Sequence, residues 1–241
     1  MPMTVKLSPS DFAFLFDQCK RCFYLKVVEE IARPSQPMPS IFTKIDTQQK
    51  LAFTGKLLSE INPIFPKMRI VQSDTNVQST YIEYPELNYQ QYIKGRIDSL
   101  AYLEDEDAYC IIDFKTSDSD KYQELYARQL RAYAYAFMHP MLGSPGLDKP
   151  ITRAGLIIYD PKGTFETLKD GTARLNGDMV WQELPLDMVE FETFLGKLAK
   201  RLSNLKVPDA DPKCPYCKRD KIMLEKYIDQ TEKEEADQLV A

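Results

Sequence analysis

"CIIDFKTSDSD", residues 110–120, decides how this chain is read. Cys110, Ile111, Ile112 and Phe114 have the apolar, branched and aromatic character of a buried strand. Asp113 and Lys115 interrupt it, two residues apart. Side chains alternate along a strand, so these two share a face, roughly 6–7 Å apart at ~3.3 Å rise per residue, while Ile112 and Phe114 point into a core. Burying a carboxylate and an ammonium is costly unless each finds a partner. The rest of the sequence must supply one.

Immediately upstream, "QYIKGRIDSLAYL" (91–103) and "AYCIIDFKT" (108–116) are joined by the acidic turn "EDED", which is a hairpin pattern. Pairing of the two arms can bring Asp98 beside Asp113. Two carboxylates converging on a strand face suit a hard divalent cation, Mg²⁺ or Mn²⁺. That cation would neutralise them, and the Lys115 ammonium could stabilise developing negative charge. Downstream, "KYQELYARQLRAYAYAFMH" (121–139) reads as a helix on which Gln129 and Tyr133, four apart, share one face. Taken alone, D-x-K is equally a buried ion pair or a solvent-facing strand, and Q-x-x-x-Y a core tyrosine beside an exposed glutamine. Their company carries the functional reading.

Further out, "LSPSDFAFLFDQCKRCFYLKV" (7–27) and "TKIDTQQKLAFTGKLLSEI" (43–61) are amphipathic and read as one helix each, the second stopped by Asn62-Pro63. Weak strands are expected near 68–73 and 79–84, further strands at 153–160 and 177–184, and a fourth long helix at 186–205. The expected fold class is mixed α/β (α+β), one domain over residues 1–220 with an acidic helical tail over 221–241.

Composition sets the outer limits. Of 241 residues, 44% are hydrophobic and 28% charged, ordinary for a globular chain. No apolar run reaches membrane-spanning length and "MPMTVKLSPSDF" lacks a signal-peptide core, so a cytoplasmic protein with no membrane partner is expected. The net charge of −5 includes −4 from the stretch Asp220 to Ala241, which leaves the remainder near neutral. Charge therefore neither supports nor excludes a polyanionic partner. The single histidine, His139, excludes Ser–His–Asp and two-histidine zinc chemistries.

Five cysteines in such a compartment read as free thiols or metal ligands. "CKRC" (19–22) and "CPYC" (214–217) are two C-x₂-C pairs, separated by nearly the whole chain where zinc-ribbon pairs lie ~15–20 residues apart. On a helix, the i, i+3 spacing would put Cys19 and Cys22 on one face. Together with Cys214 and Cys217 they could hold Zn²⁺ or an iron–sulfur cluster, or be apolar helix positions and an incidental redox pair. Cys110 reads as an inert core thiol.

"GRID" (95–98), "IIDFKT" (111–116) and "QLRAY" (129–133) together resemble the PD-(D/E)XK nucleases of the RecB type, most closely the CRISPR-associated RecB-like exonucleases and AddB-like nuclease domains. The resemblance implies a restriction-endonuclease-like central sheet flanked by helices. It implies that Asp98, Asp113 and the Phe114 carbonyl hold the catalytic Mg²⁺ or Mn²⁺. Lys115 would then stabilise the phosphate, with Gln129 and Tyr133 assisting at the metal and the DNA backbone. Lys121, Tyr122 and Arg128 would contact the strand. Where the family places a histidine or glutamate on the second helix, this chain has Ser59, with Glu60 next to it as a substitute ligand. "CKRCFYLKV" resembles the first part of the family's four-cysteine clasp, which implies a [4Fe–4S] cluster, with Zn²⁺ as the alternative. The cysteines are split two and two here, with Met223 near the expected third C-terminal position and Cys22 supplying the missing sulfur. DNA is the implied partner, with CRISPR-adaptation or recombination proteins beside it.

Overall fold

The longest strand, β4 (Tyr89–Leu103), organises the molecule. In this computed structural model residues 1–34, 37–116 and 123–225 are described. Lys121, Tyr122 and the tail beyond 225 lie outside them.

Among the described residues the main sheet has seven strands. β1 (Met3–Leu7) runs parallel to the first part of β4. β2 (Met68–Gln78) and β3 (Ile82–Tyr84) pair antiparallel with β4, covering its second and first parts in turn. β5 (Ala108–Lys115) pairs antiparallel with the far end of β4 and parallel with β6 (Ile151–Asp160). The short strands β7 (Phe165–Thr167) and β8 (Ala173–Leu175) form a separate hairpin, and β9 (Asp178–Leu184) closes the main sheet against β6. β1, β7 and β8 were not expected. Their three to five residues give too short a run for an alternation pattern to stand out.

One edge of β4 is interrupted. β1 pairs with residues 89–93 and β5 with 99–103, so among the described residues no strand covers 94–98 on that side. β4 and β5 therefore part just beyond the Ser99–Ile112 pair. Asp98 and Asp113 are the first residues past the fork.

Helices cover both faces. On one, α5 (Gln123–Met138) and α6 (Met188–Leu202) pack with the N-terminal segment over Leu7, Ile93, Ile97, Leu100, Ile111 and Leu156. On the other, α3 (Ser40–Phe53) and α4 (Leu58–Ile61) lie over Met68, Ile70, Ala101, Ile112, Phe114 and Ile157. The Phe53 and Phe114 rings stack at 5.9 Å between centroids.

Two expected helices are broken. The 43–61 helix ends at Phe53, where Gly55 adopts a φ of +76° and its N–H donates to the Ile70 carbonyl; the chain resumes as α4. The 7–27 helix begins as a π-helical turn (Asp11–Leu15), passes through α1 (Phe16–Gln18) and stops at Cys19, which is extended, before α2 (Lys20–Val27). Cys19 is thus the N-cap of α2, and the reading of Cys19 and Cys22 as one helix face is corrected. They converge because the Cys19 sulfur accepts the backbone N–H of Cys22 at 3.5 Å. No helix among the described residues is long and apolar enough to cross a membrane.

Candidate active site and cysteine clasp

The fork between β4 and β5 gathers the charged residues. The Phe114 N–H, left without a partner strand on that side, donates to Asp98 Oδ2 at 3.0 Å. A side chain thus replaces the missing ladder bond and locks Asp98 across the fork. Asp113 is buried, 4% exposed, and forms an ion pair with Lys115, whose ammonium also lies 4.9 Å over the Tyr126 ring. Burial, and then the Asp98 charge, push the Asp113 carboxyl up to about 6 against the pull of Lys115. Burial works against the Lys115 charge, but Asp113 and Asp98 more than offset it and its pKa is raised. Asp98, Phe114, Lys115 and Tyr126 line one cleft of about 530 Å³, with Asp46 and Phe42 of α3 on the opposite wall.

α5 closes the fork from the other face. Tyr133 is buried one helical turn from Gln129, and its hydroxyl is held well above the usual range by burial. Its ring reaches the sheet because β4 has glycine there: a Cβ on Gly95 would stand 3.0 Å from Tyr133 Cε1 and 2.9 Å from Pro9 Cδ. Gln129 is 6% exposed and its Oε1 has no partner among the described residues. An orphaned buried oxygen on the helix that packs over the fork fits a site that receives a cation and its waters.

Arg128, expected to touch substrate, is committed elsewhere. It donates to the Phe12 carbonyl at 3.1 Å and to Asp17 at 2.7 Å, and stacks over Phe194 at 4.7 Å, tying α5 to the N-terminal segment and α6. Glu60 is exposed on α4, and its carboxylate has no partner among the described residues. The helical residue that reaches Asp98 is instead Lys50 of α3, at 3.1 Å, together with Asp46 and Asp74 at 2.9 Å each. These three were not anticipated. Asp46 and Lys50 form an i, i+4 pair of the kind common on solvated helix faces. Asp74 sits at an irregularity in β2 with a φ of +52° that no strand pattern reveals.

The four cysteines meet at the opposite end of the N-terminal segment. Cys19, Cys22, Cys214 and Cys217 are buried, and their sulfurs lie within 4.8 Å of one another. Cys19–Cys217 and Cys22–Cys214 stand at 3.7 Å and Cys22–Cys217 at 3.8 Å, far beyond a disulfide bond. Arg33 Nη2 donates to Cys214 Sγ at 3.4 Å, and its guanidinium lies over Tyr216. Burial raises the Cys19 thiol, but the Cys22 N–H and the neighbouring sulfurs outweigh it and lower it to about 7, while burial pushes Cys217 up to about 12. Four buried thiols with converging sulfurs fit a thiolate-bound metal, and their meeting brings the N-terminal segment to the C-terminal one. Cys110 lies apart, fully buried, its thiol raised by burial.

No curated relative matches the chain. A solved structure described as "Crystal structure of SSO0001" is similar over 88% of this chain and 82% of its own, at 16% identity and a TM-score of 0.44. The family profile of the PD-(D/E)XK nuclease superfamily matches residues 40–222, which span α3, the fork, α5 and the C-terminal cysteines, and the chain belongs to that superfamily.

Proposed function

We propose that the chain is a divalent-metal-dependent DNA nuclease whose catalytic centre is the β4–β5 fork. The observation that carries this is the meeting of Asp98, Asp113 and Lys115 at the point where the two strands separate, with Asp98 and Lys115 lining an open cleft and Asp113 buried behind them. Asp98, Asp113 and the Phe114 carbonyl would hold Mg²⁺ or Mn²⁺, which supplies Lewis acidity and a water nucleophile at neutral pH. Lys115, kept protonated by its carboxylate neighbours, presents positive charge to a scissile phosphate. Tyr126 flanks that ammonium, and Gln129 and Tyr133 hold the inner wall. The resemblance to RecB-type enzymes supports exonucleolytic action on single-stranded or frayed ends, in CRISPR spacer acquisition or recombinational DNA processing. The test is degradation of end-labelled single-stranded DNA with Mn²⁺ by wild type and Asp113→Ala. Equal rates would sink the reading and favour a non-catalytic DNA-binding or assembly subunit.

For the clasp, the sulfur spacing favours Zn²⁺ over the [4Fe–4S] cluster that the resemblance implies. One tetrahedral ion with bonds of ~2.3 Å sets its four sulfurs ~3.8 Å apart. A four-iron cluster takes one thiolate per iron and needs them farther apart. Zinc supplies folding free energy here and no redox chemistry. Metal analysis of freshly purified protein checks this: one zinc per chain and no colour is expected, whereas stoichiometric iron and acid-labile sulfide would restore the cluster.

A further inference from the structure

Lys50 occupies a position that ordinary surface chemistry does not explain. Its side chain is 10% exposed, and its ammonium is bonded to three carboxylates from three elements: Asp46 of α3, Asp74 of β2 and Asp98 of β4. Arg96 approaches from outside and takes only Asp74, at 3.0 Å, with its side chain 61% exposed. Asp98 is thereby divided: Oδ1 faces Lys50, Oδ2 faces the Phe114 N–H, and Asp113 beyond it is paired with Lys115.

Three carboxylate oxygens within about 3 Å of one point form a donor set that a hard divalent ion would otherwise fill. Here a lysine fills it. We propose that Lys50 is a fixed internal cation standing in for a second divalent ion, so that the fork takes one metal ion and Lys50 acts as a positioning residue for Asp98. This rests on the fork being a metal site, as proposed above. An ammonium carries one charge, cannot bind a water nucleophile and does not dissociate. It can therefore orient Asp98 and offset Asp46 and Asp74, but it leaves the metal-dependent chemistry to the Asp98–Asp113 side. Asp46 and Asp74 then serve Lys50 and not the metal.

The test is isothermal titration of Mn²⁺ into wild type, Lys50→Gln, Lys50→Arg and Asp46→Asn, with the clasp metal left in place. One Mn²⁺ per chain is expected for wild type and Lys50→Arg, and two for Lys50→Gln, because three carboxylates, of which only Asp74 keeps a basic partner in Arg96, then converge on a site without its cation. Asp46 is 38% exposed, so its amide variant tests the idea even if Lys50→Gln does not fold. Asp46→Asn should bind one Mn²⁺ within about twofold of wild-type affinity, since Asp46 is no ligand. Unchanged stoichiometry in Lys50→Gln, or a tenfold loss of Mn²⁺ affinity in Asp46→Asn, would overturn the inference while leaving the nuclease reading standing. No Mn²⁺ binding by wild type would remove both.

Discussion

The fork and the clasp are both buried clusters of ionisable groups, and they solve the cost of burial in opposite ways. At the fork every acid has a basic partner inside the protein: Asp113 has Lys115, and Asp98, Asp74 and Asp46 have Lys50. At the clasp four thiols face one another, with a single arginine contact at Cys214. The fork is also more local, its contacts joining residues no more than 48 apart in sequence, whereas the clasp joins residues up to 198 apart. Charge neutrality can be built from side chains, so the fork can stand without a metal. The four thiols of the clasp have no such set of basic partners, and the metal proposed for them would supply the positive charge that their thiolate forms require.

This contrast makes its largest difference in stability. Removing the clasp metal with a thiol-competing chelator should lower the Tm by more than about 10 °C, since structural zinc contributes ~10–16 kcal/mol in small domains and each kcal/mol is worth ~2–4 °C at this size. Withholding Mn²⁺ should move the Tm by no more than a few degrees. Similar shifts from both treatments, followed by calorimetry, would erase the distinction.

Asp113→Asn should invert that ranking in an activity assay. Nuclease rate is expected to fall by at least about 10²-fold, on the scale of removing one preorganised electrostatic group. Its thermal shift should stay well below that of clasp-metal removal, because the asparagine keeps the volume of the buried side chain.

The fork should also respond to mild acid. Burial raises Asp113 to about 6 in the metal-free protein, and a proton competes with the metal for the same oxygens. Mn²⁺ affinity measured by titration should therefore be flat above pH 6 and fall about tenfold per pH unit below it. A loss beginning only near pH 4 would mean that Asp113 is not the competing group.

The smallest effect is expected at Gly95. An added Cβ would press on Tyr133 and on the Pro9 ring, both within 3.0 Å, so Gly95→Ala should cost ~1–3 kcal/mol of stability and slow cleavage severalfold. Denaturant melts and single-turnover rates together separate the two. A variant as stable as wild type but slow would show that Tyr133 placement, and not packing, matters.

Much of the fork was legible in the chain itself. The alternation Ile112–Asp113–Phe114–Lys115 fixed which side chains share a face, and the turn at 104–107 fixed which strand arm is its neighbour. The helix with Gln129 and Tyr133 was visible from its own periodicity. The Lys50 cluster was not, because Asp46 and Lys50 satisfy an ordinary surface-helix pattern and Asp74 joins them through the pairing of β2 with β4, which sets it level with Asp98. The contacts of Arg128 were hidden for a related reason: a cation beside a motif says nothing about the direction of its side chain, and this one is held by Asp17 and the Phe12 carbonyl.

What the sequence determined alone was therefore the set of local alternations and helical faces, together with the residue types capable of metal chemistry, because these depend on backbone geometry repeated over a few residues. Only the tertiary structure decided where β4 and β5 separate, which cation meets Asp98, and how closely four sulfurs from the two ends of the chain approach. Those outcomes depend on the relative placement of distant elements, set by packing on both faces of the sheet, and no short-range pattern encodes them.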